Sequence, residues 1–205
     1  MRTFIIGYGS LLKRASLNRT LPQVKEIEPI YLKNYKRSWN ANENITPTLA
    51  TTYLGINKCD DSKMNAIIFE LERDFLDFLD KREFLYDRVE IALIDIEFTT
   101  SKFEISEEDK IWIYLTTNPY RPSSENPIIQ SYVDTCIAGA FEIESEFGIE
   151  NFAKNFIEMT YNWSEYWVND RIYPRAPHIH QPEAYIIDKL LNESMHDIFV
   201  KIRVE

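Results

Sequence analysis

Two short segments of the sequence hold residues whose types and spacing are suited to chemistry. The first is a glycine-containing turn after an apolar run, and it reads Gly7-Tyr8-Gly9-Ser10-Leu11-Leu12. Glycines let the backbone approach a ligand closely, and successive peptide N–H groups in such a turn can bind an anion such as a carboxylate. A purely structural junction between strand and turn is the alternative. The dinucleotide-binding pattern fails, because Leu12 stands where its last glycine belongs.

The second segment surrounds Glu83 and reads Leu79-Asp80-Lys81-Arg82-Glu83-Phe84-Leu85-Tyr86-Asp87-Arg88-Val89. It lies where a helical pattern gives way to a strand pattern, and apolar residues follow the glutamate. A carboxyl group in partly apolar surroundings has its pKa raised toward neutrality, which suits a group that moves protons. The many charged neighbours leave open the alternative that Glu83 is an ordinary surface residue.

Other residues carry weaker signals. His178 and His180 could form half of a metal site, but no Cys or acidic partner stands at ligand spacing, so an exposed turn or packed histidines are favoured. Cys136 lies on an apolar helical stripe, which predicts core packing. The two cysteines, Cys59 and Cys136, form neither a disulfide framework nor a metal pattern. We therefore expect no metal and a reduced, intracellular setting.

Hydrophobic periodicity predicts the elements that position these segments. Apolar and β-branched residues predict strands at 4–8, 30–39, 49–56, 64–71, 86–98 and 111–115. Helical spacing of apolar residues predicts an inserted helix over 73–81. After Pro119 the pattern becomes helical, with a start signal at Asn126-Pro127, a stripe from Ile129 to Cys136, and further helices near 149–157 and 184–191. The prediction is an α+β fold, with a small mixed β-barrel or sheet and one inserted helix.

Composition limits the class of protein. The chain has 205 residues and a formal net charge of −10 at pH 7. This charge, with no clustered basic face, argues against nucleic acid as a partner and disfavours an anionic membrane surface. The first apolar run is too short for a leader, and no stretch is long enough to span a bilayer. We expect a cytoplasmic protein with a strand-rich domain at 1–118 and a helix-rich C-terminal extension at 119–205 packed on it.

Taken together, the two chemical segments resemble the γ-glutamylcyclotransferase-like superfamily, which includes the glutathione-degrading ChaC-type enzymes. That family carries a Tyr-Gly-Ser-Leu signature near its N-terminus, as at 8–11 here, and a later Arg-Glu followed by Tyr-x-Arg-Val, as at 82–83 and 86–89. The segment Leu32-Lys33-Asn34-Tyr35-Lys36-Arg37 is similar to a family strand in which glycine usually occupies the place of Asn34. The resemblance covers about residues 1–118.

The resemblance implies an activity and a set of roles. The family converts a small γ-glutamyl compound into 5-oxoproline and a free amine, without cofactor or metal. By this resemblance Glu83 is the general acid and base, and Tyr8, Gly9, Ser10 and Leu11 bind the substrate, with Tyr86 as a further pocket hydroxyl.

A non-catalytic ligand-binding or interaction module on the same fold is the alternative, since a fold does not guarantee chemistry. The residues leave the amine released, and the oligomeric state, undetermined. The aromatic content of 119–205 suggests that this extension covers the open side of the pocket.

Overall fold

The structure of the protein, a computed structural model, describes residues 1–44, 50–100, 102–174 and 183–204. The strands are β1 (Thr3–Gly7), β2 (Glu28–Asn44), β3 (Ala50–Glu70), β4 (Tyr86–Glu90), β5 (Ile96–Phe98), β6 (Lys110–Thr116), β7 (Ile128–Ile129), β8 (Thr160–Tyr161), β9 (Trp167–Asn169) and β10 (Arg203–Val204). The helices are α1 (Arg14–Thr20), α2 (Leu76–Arg82), α3 (Gln130–Phe147), α4 (Phe152–Glu158) and α5 (Ala184–Phe199). Short 3₁₀ turns cover Ser10–Leu12, Arg73–Phe75 and Leu93–Asp95.

The strands of the described residues form one mixed sheet. Its main path runs in the order β10, β9, β7, β3, β1, β6 and β4, while β2 pairs with β3, β5 and β8. The long strands β2 and β3 pair antiparallel over most of their length. Strand β1 lies between β3, to which it is antiparallel, and β6, to which it is parallel. The first strand is therefore central, and the turn that follows it begins inside the fold.

Side-chain alternation along β1 explains why this strand is buried on both faces. Successive side chains of a strand point to opposite faces. Ile5 packs into one apolar cluster with α3, α4 and α5, whereas Phe4 and Ile6 pack into a second cluster between the sheet and the segment near Ile96. All three side chains are essentially inaccessible. Each such burial contributes about 1.5–3 kcal/mol, so the position of β1 is strongly determined.

The α+β prediction and the inserted helix are confirmed. The predicted helix at 73–81 is present as the 3₁₀ turn Arg73–Phe75 followed by α2. Asn34 occupies the left-handed region with φ of 64°. Asparagine is the residue that, after glycine, best tolerates this conformation, which explains how the chain adopts it here without a glycine. Its amide donates to Asp95 at 2.9 Å.

The predicted helix start at Asn126-Pro127 is wrong, because a short strand comes first. The helix α3 begins at Gln130, after β7. The Pro127 carbonyl accepts from the N–H of Thr52 at 2.9 Å, and the Ile128 N–H donates to the Tyr166 carbonyl at 2.9 Å. Two neighbouring chain segments thus pair with residues 127–128, and this long-range pairing outweighs the local capping preference.

The C-terminal portion is joined to the sheet rather than only placed against it. Strand β7 pairs with β3, and β8 pairs with β2, both in parallel. Helix α3 packs against the 3₁₀ turn that follows β1. The division into domains at 118/119 remains a prediction. None of the helices in the described ranges is long and apolar enough to cross a membrane.

Candidate active site

The turn after β1 borders a cavity and begins with backbone N–H groups that have no partner within the turn. The 3₁₀ turn begins at Ser10, and its first paired N–H is that of Leu12, which donates to the Gly9 carbonyl at 3.0 Å. A helical turn leaves its leading N–H groups without intrahelical partners. The amides of Ser10 and Leu11 are in this position, so they are available to an anionic ligand.

Two glycines permit the close packing around this turn. A Cβ placed on Gly9 would lie 2.9 Å from the hydroxyl oxygen of Tyr132, a side chain of α3. A Cβ placed on Gly139, which lies on the same helix as Tyr132, would overlap the backbone of Leu12 and Lys13. The helix therefore lies directly on the turn, with no space for a side chain between them.

Tyr8 is held at both ends of the residue. Its hydroxyl donates to the carbonyl of Tyr114 at 2.8 Å. Its own carbonyl accepts from the Arg37 guanidinium at 3.4 Å. Burial raises the pKa of Tyr8 well above its usual value, and the nearby Tyr86 and Glu83 raise it further. The phenol is therefore neutral at physiological pH.

Glu83 lies at the C-terminal end of α2, where the chain leaves the helix. Its N–H donates to the Leu79 carbonyl at 2.9 Å, and its carbonyl accepts from the N–H of Tyr86 at 2.9 Å. The side chain is 18% exposed and forms an ion pair with Arg82. Burial raises the pKa of Glu83, while the Arg82 charge opposes that rise. The environment is therefore the partly apolar one that a proton-transfer carboxyl requires.

Hydroxyl groups of two further tyrosines are anchored beside Glu83. The Tyr86 hydroxyl donates to the Leu54 carbonyl at 2.9 Å. The Tyr114 hydroxyl donates to the Asp80 carboxylate at 2.7 Å. Burial and this hydrogen bond to Asp80 raise the pKa of Tyr114, and the Glu83 charge adds to the rise. These tyrosine hydroxyls thus add polar but uncharged groups to the wall near Glu83.

The residues that the sequence assigned to catalysis and substrate binding all lie around one cavity of about 270 Å³. It is lined by Ile6, Gly7, Tyr8, Gly9, Ser10, Leu11, Ser16, Arg19, Tyr53, Leu54, Arg82, Glu83, Phe84, Leu85, Tyr86, Tyr114 and Tyr132. Arg19, Arg82 and Phe84 are exposed and mark its mouth. The structure therefore brings Glu83 and the 8–11 turn together from positions far apart in the sequence. Their chemical roles remain predictions.

Sequence reasoning missed three tyrosines of this wall. Tyr53 and Tyr132 pack edge to face, with ring centroids 4.9 Å apart, and Tyr114 on β6 also lines the cavity. Tyr132 was predicted only as part of the apolar stripe of its helix. The available signal was its hydroxyl, because a buried tyrosine usually directs that group to a polar partner or a cavity. Tyr132 also shows that the C-terminal portion contributes to the cavity wall.

The predictions for Cys136 and for the two histidines remain to be compared with the structure. Cys136 is fully buried, as its helical position indicated. His178 and His180 lie outside the described residues. Within the described ranges, no group of three His, Cys, Asp or Glu side chains is placed to hold a metal ion.

The fold places the chain among proteins with the γ-glutamylcyclotransferase-like architecture. A solved structure of a γ-glutamyl cyclotransferase superposes with a TM-score of 0.58 at 14% sequence identity, covering 91% of this chain and 98% of that one. The crystal structure of an uncharacterized protein from Homo sapiens superposes with a TM-score of 0.56 at 15% identity, covering 76% and 86%. No protein-family model matches the sequence, and neither does any curated protein. The resemblance that the motifs predicted is confirmed at the level of the fold.

Proposed function

We propose that the protein is a γ-glutamylcyclotransferase-type enzyme that releases 5-oxoproline from a small γ-glutamyl compound. The observation that carries this proposal is the shared cavity of Glu83 and the turn at 8–11. These are the two features that the motif resemblance assigns to catalysis and to substrate binding. The similarity to a solved γ-glutamyl cyclotransferase supports the fold on which the proposal depends.

The proposed reaction is intramolecular. The α-amine nitrogen of the γ-glutamyl group attacks its own γ-carbonyl carbon, a five-membered lactam forms, and the bond from that carbon to the leaving nitrogen breaks. Holding the substrate folded back on itself supplies up to about 7–11 kcal/mol of the barrier reduction. The 270 Å³ cavity, closed on several sides by aromatic rings, suits this role.

Proton transfer is the task that remains for a side chain. Glu83 as the carboxylate takes a proton from the attacking amine and then delivers it to the leaving nitrogen, so no net proton is consumed. Such general acid and base catalysis contributes about 10²–10⁴-fold. The raised pKa of Glu83 brings its proton affinity closer to that needed for both steps.

The substrate carboxylate is assigned to the turn. The N–H groups of Ser10 and Leu11 lack intrahelical partners, both residues border the cavity, and a turn of this kind can bind an anion such as a carboxylate. The hydroxyls of Tyr8, Tyr86 and Tyr114 already donate to protein carbonyl or carboxylate groups. They define the shape of the pocket more than its charge.

The test compares wild type and Glu83→Gln against glutathione, γ-glutamyl amino acids and γ-glutamylamines, with 5-oxoproline quantified by mass spectrometry. Glu83→Gln is expected to lose at least about 100-fold in kcat while its far-UV circular dichroism stays unchanged. Glu72→Gln, an exposed glutamate just before α2, is the matched control and retains activity. Full activity of Glu83→Gln, or a wild type that releases 5-oxoproline from none of the compounds, would contradict the proposal.

A further inference from the structure

Arg37 is a fully buried arginine that contacts the backbone of the turn at 8–11 through the Tyr8 carbonyl. It lies on β2, and its side chain is inaccessible to solvent. Its guanidinium donates to five neutral oxygens: the Thr160 hydroxyl at 2.8 Å, the Asn65 carbonyl at 2.7 Å, the Asn65 side-chain oxygen at 2.9 Å, the Phe156 carbonyl at 2.8 Å and the Tyr8 carbonyl at 3.4 Å. It also stacks on the Phe156 ring, 3.9 Å from the centroid.

No carboxylate balances this charge within the described part of the chain. The ionisable groups that act on Arg37 are Cys136, Tyr132 and Tyr8. Burial raises the pKa of Cys136 to about 12 and that of both tyrosines well above the usual value, so all three are neutral at pH 7. Desolvation lowers the pKa of Arg37 to about 9, which still leaves the guanidinium charged.

A buried charge without a counter-ion is costly, and proteins usually pair such groups. Hydrogen bonds to neutral oxygens satisfy the N–H groups of Arg37 but do not neutralise its charge. Tyr8 connects Arg37 to the cavity, because its carbonyl accepts from the guanidinium and the residue also lines the cavity. An anion bound there is therefore the natural counter-ion.

The peptide between Tyr8 and Gly9 transmits the effect of the Arg37 charge to the side of the turn that faces away from Arg37. The peptide that joins Tyr8 to Gly9 is planar and trans, so its carbonyl and its N–H point in opposite directions. Since the carbonyl faces Arg37, the Gly9 N–H faces away from it. Hydrogen bonding at the carbonyl also polarises the peptide and strengthens its N–H as a donor.

We propose that Arg37 is a positioning and specificity-determining residue, whose buried charge, acting through the Tyr8–Gly9 peptide, selects substrates that carry a free carboxylate in the turn. This inference rests on the proposed function, because it concerns the γ-glutamyl head group bound there. Compounds in which the α-carboxylate is replaced by a neutral amide bind less tightly, because they bring no negative charge to balance that of Arg37.

The experiment measures the preference for a carboxylate in each variant. The probes are 5-oxoproline and its carboxamide, which differ at the charged group, and the readout is the ratio of their two dissociation constants by calorimetry or NMR titration. Wild type is expected to prefer the carboxylate by about tenfold or more, as a hydrogen-bonded charge requires. Arg37→Lys keeps most of this preference, and Arg37→Met lowers the ratio several-fold.

The ratio separates the role of the charge from structural damage. A loosened turn weakens the binding of both probes together, whereas loss of the charge weakens only the binding of the carboxylate. A second variant, Asn65→Asp, keeps Arg37 in place and puts a carboxylate next to it, since the Asn65 side-chain oxygen already accepts from the guanidinium at 2.9 Å. It is expected to lower the ratio several-fold. Asn118→Asp, an exposed site, adds the same charge elsewhere and serves as its control.

Two results would overturn the inference while leaving the enzymatic proposal intact. One is a wild type that releases 5-oxoproline but binds both probes equally. The other is an active wild type whose preference persists in Asn65→Asp and in a folded Arg37→Met. A wild type that binds neither probe and releases no 5-oxoproline would overturn the proposed function and this inference together.

Discussion

The hydroxyl of Tyr132 lies so close to Gly9 that a single added carbon at position 9 would stand 2.9 Å from it. Tyr132 belongs to α3 in the C-terminal portion, and Gly9 belongs to the turn after β1. The wall of the candidate site is therefore closed by two segments more than 100 residues apart in the chain. Position 9 must therefore lack a side chain so that Tyr132 can pack against the turn. The same lack of a side chain lets a ligand approach the backbone closely.

Gly9→Ala is expected to weaken substrate binding, because its Cβ displaces either the turn at 8–11 or Tyr132. KM should rise about tenfold, which corresponds to about 1.4 kcal/mol. The same substitution should cost less in a Tyr132→Phe background, since removing the hydroxyl removes the closest atom. Steady-state kinetics of the four proteins of this cycle measure the difference. An equal cost of Gly9→Ala in both backgrounds would show that Tyr132 is not the obstacle.

The pH dependence of kcat/KM should reflect the ionisation of the Glu83 carboxyl group. A general base must be ionised, so activity falls as the pH drops through its pKa, which burial raises above the ordinary value of 4.5. Arg82 opposes that rise, so Arg82→Met should move the acidic limb of the profile to higher pH. Lys81→Met removes the same charge from an exposed neighbour and should leave the limb nearly in place. An acidic limb that is unchanged in Arg82→Met would argue against Glu83 as the titrating base.

Glu83→Gln should make the folded protein more stable at neutral pH. A carboxyl whose folded-state pKa is raised favours folding fully only below its unfolded pKa, and that contribution is lost as the pH rises through the folded-state value. Glutamine does not titrate, so the variant avoids the loss. Urea unfolding at pH 7 should show a higher free energy of unfolding for the variant, and the difference should vanish below about pH 4.5. A variant less stable than wild type at pH 7 would mean that the ionised carboxylate is stabilised by its surroundings.

Gly139→Ala should destabilise the protein, although alanine normally favours a helix by about 1 kcal/mol over glycine. The added Cβ overlaps the backbone of Leu12 and Lys13, which cannot move aside as a flexible side chain would. Overpacking of this kind costs about 1–3 kcal/mol, measured by urea unfolding. Ser145→Ala, at an exposed position of the same helix, is the control and should be neutral or slightly stabilising. A stabilised Gly139→Ala would show that α3 can shift away from the turn without cost.

Local sequence patterns correctly predicted the strands and helices whose hydrophobic spacing matches the faces that are buried in the fold. The apolar run at 4–8 predicted β1 because both of its faces are buried, and helical spacing predicted α2 because one face of that helix packs on the core. The turn at 8–11 and Glu83 stood out because glycine and a carboxyl group among apolar residues are locally informative. Position 127 shows the limit, since its pairing with Thr52 overrode a valid helix-start signal.

By itself the sequence determined the α+β class, the positions of the main strands along the chain, the inserted helix and the two segments that carry the candidate chemistry, all of which depend on neighbours within a few residues. Only the tertiary structure decided that Tyr132 closes the cavity and that Arg37 lies buried behind Tyr8. These relationships join residues far apart in the chain through close packing and desolvation. Neither effect leaves a periodic trace in the sequence, because each depends on which distant side chains share one interior.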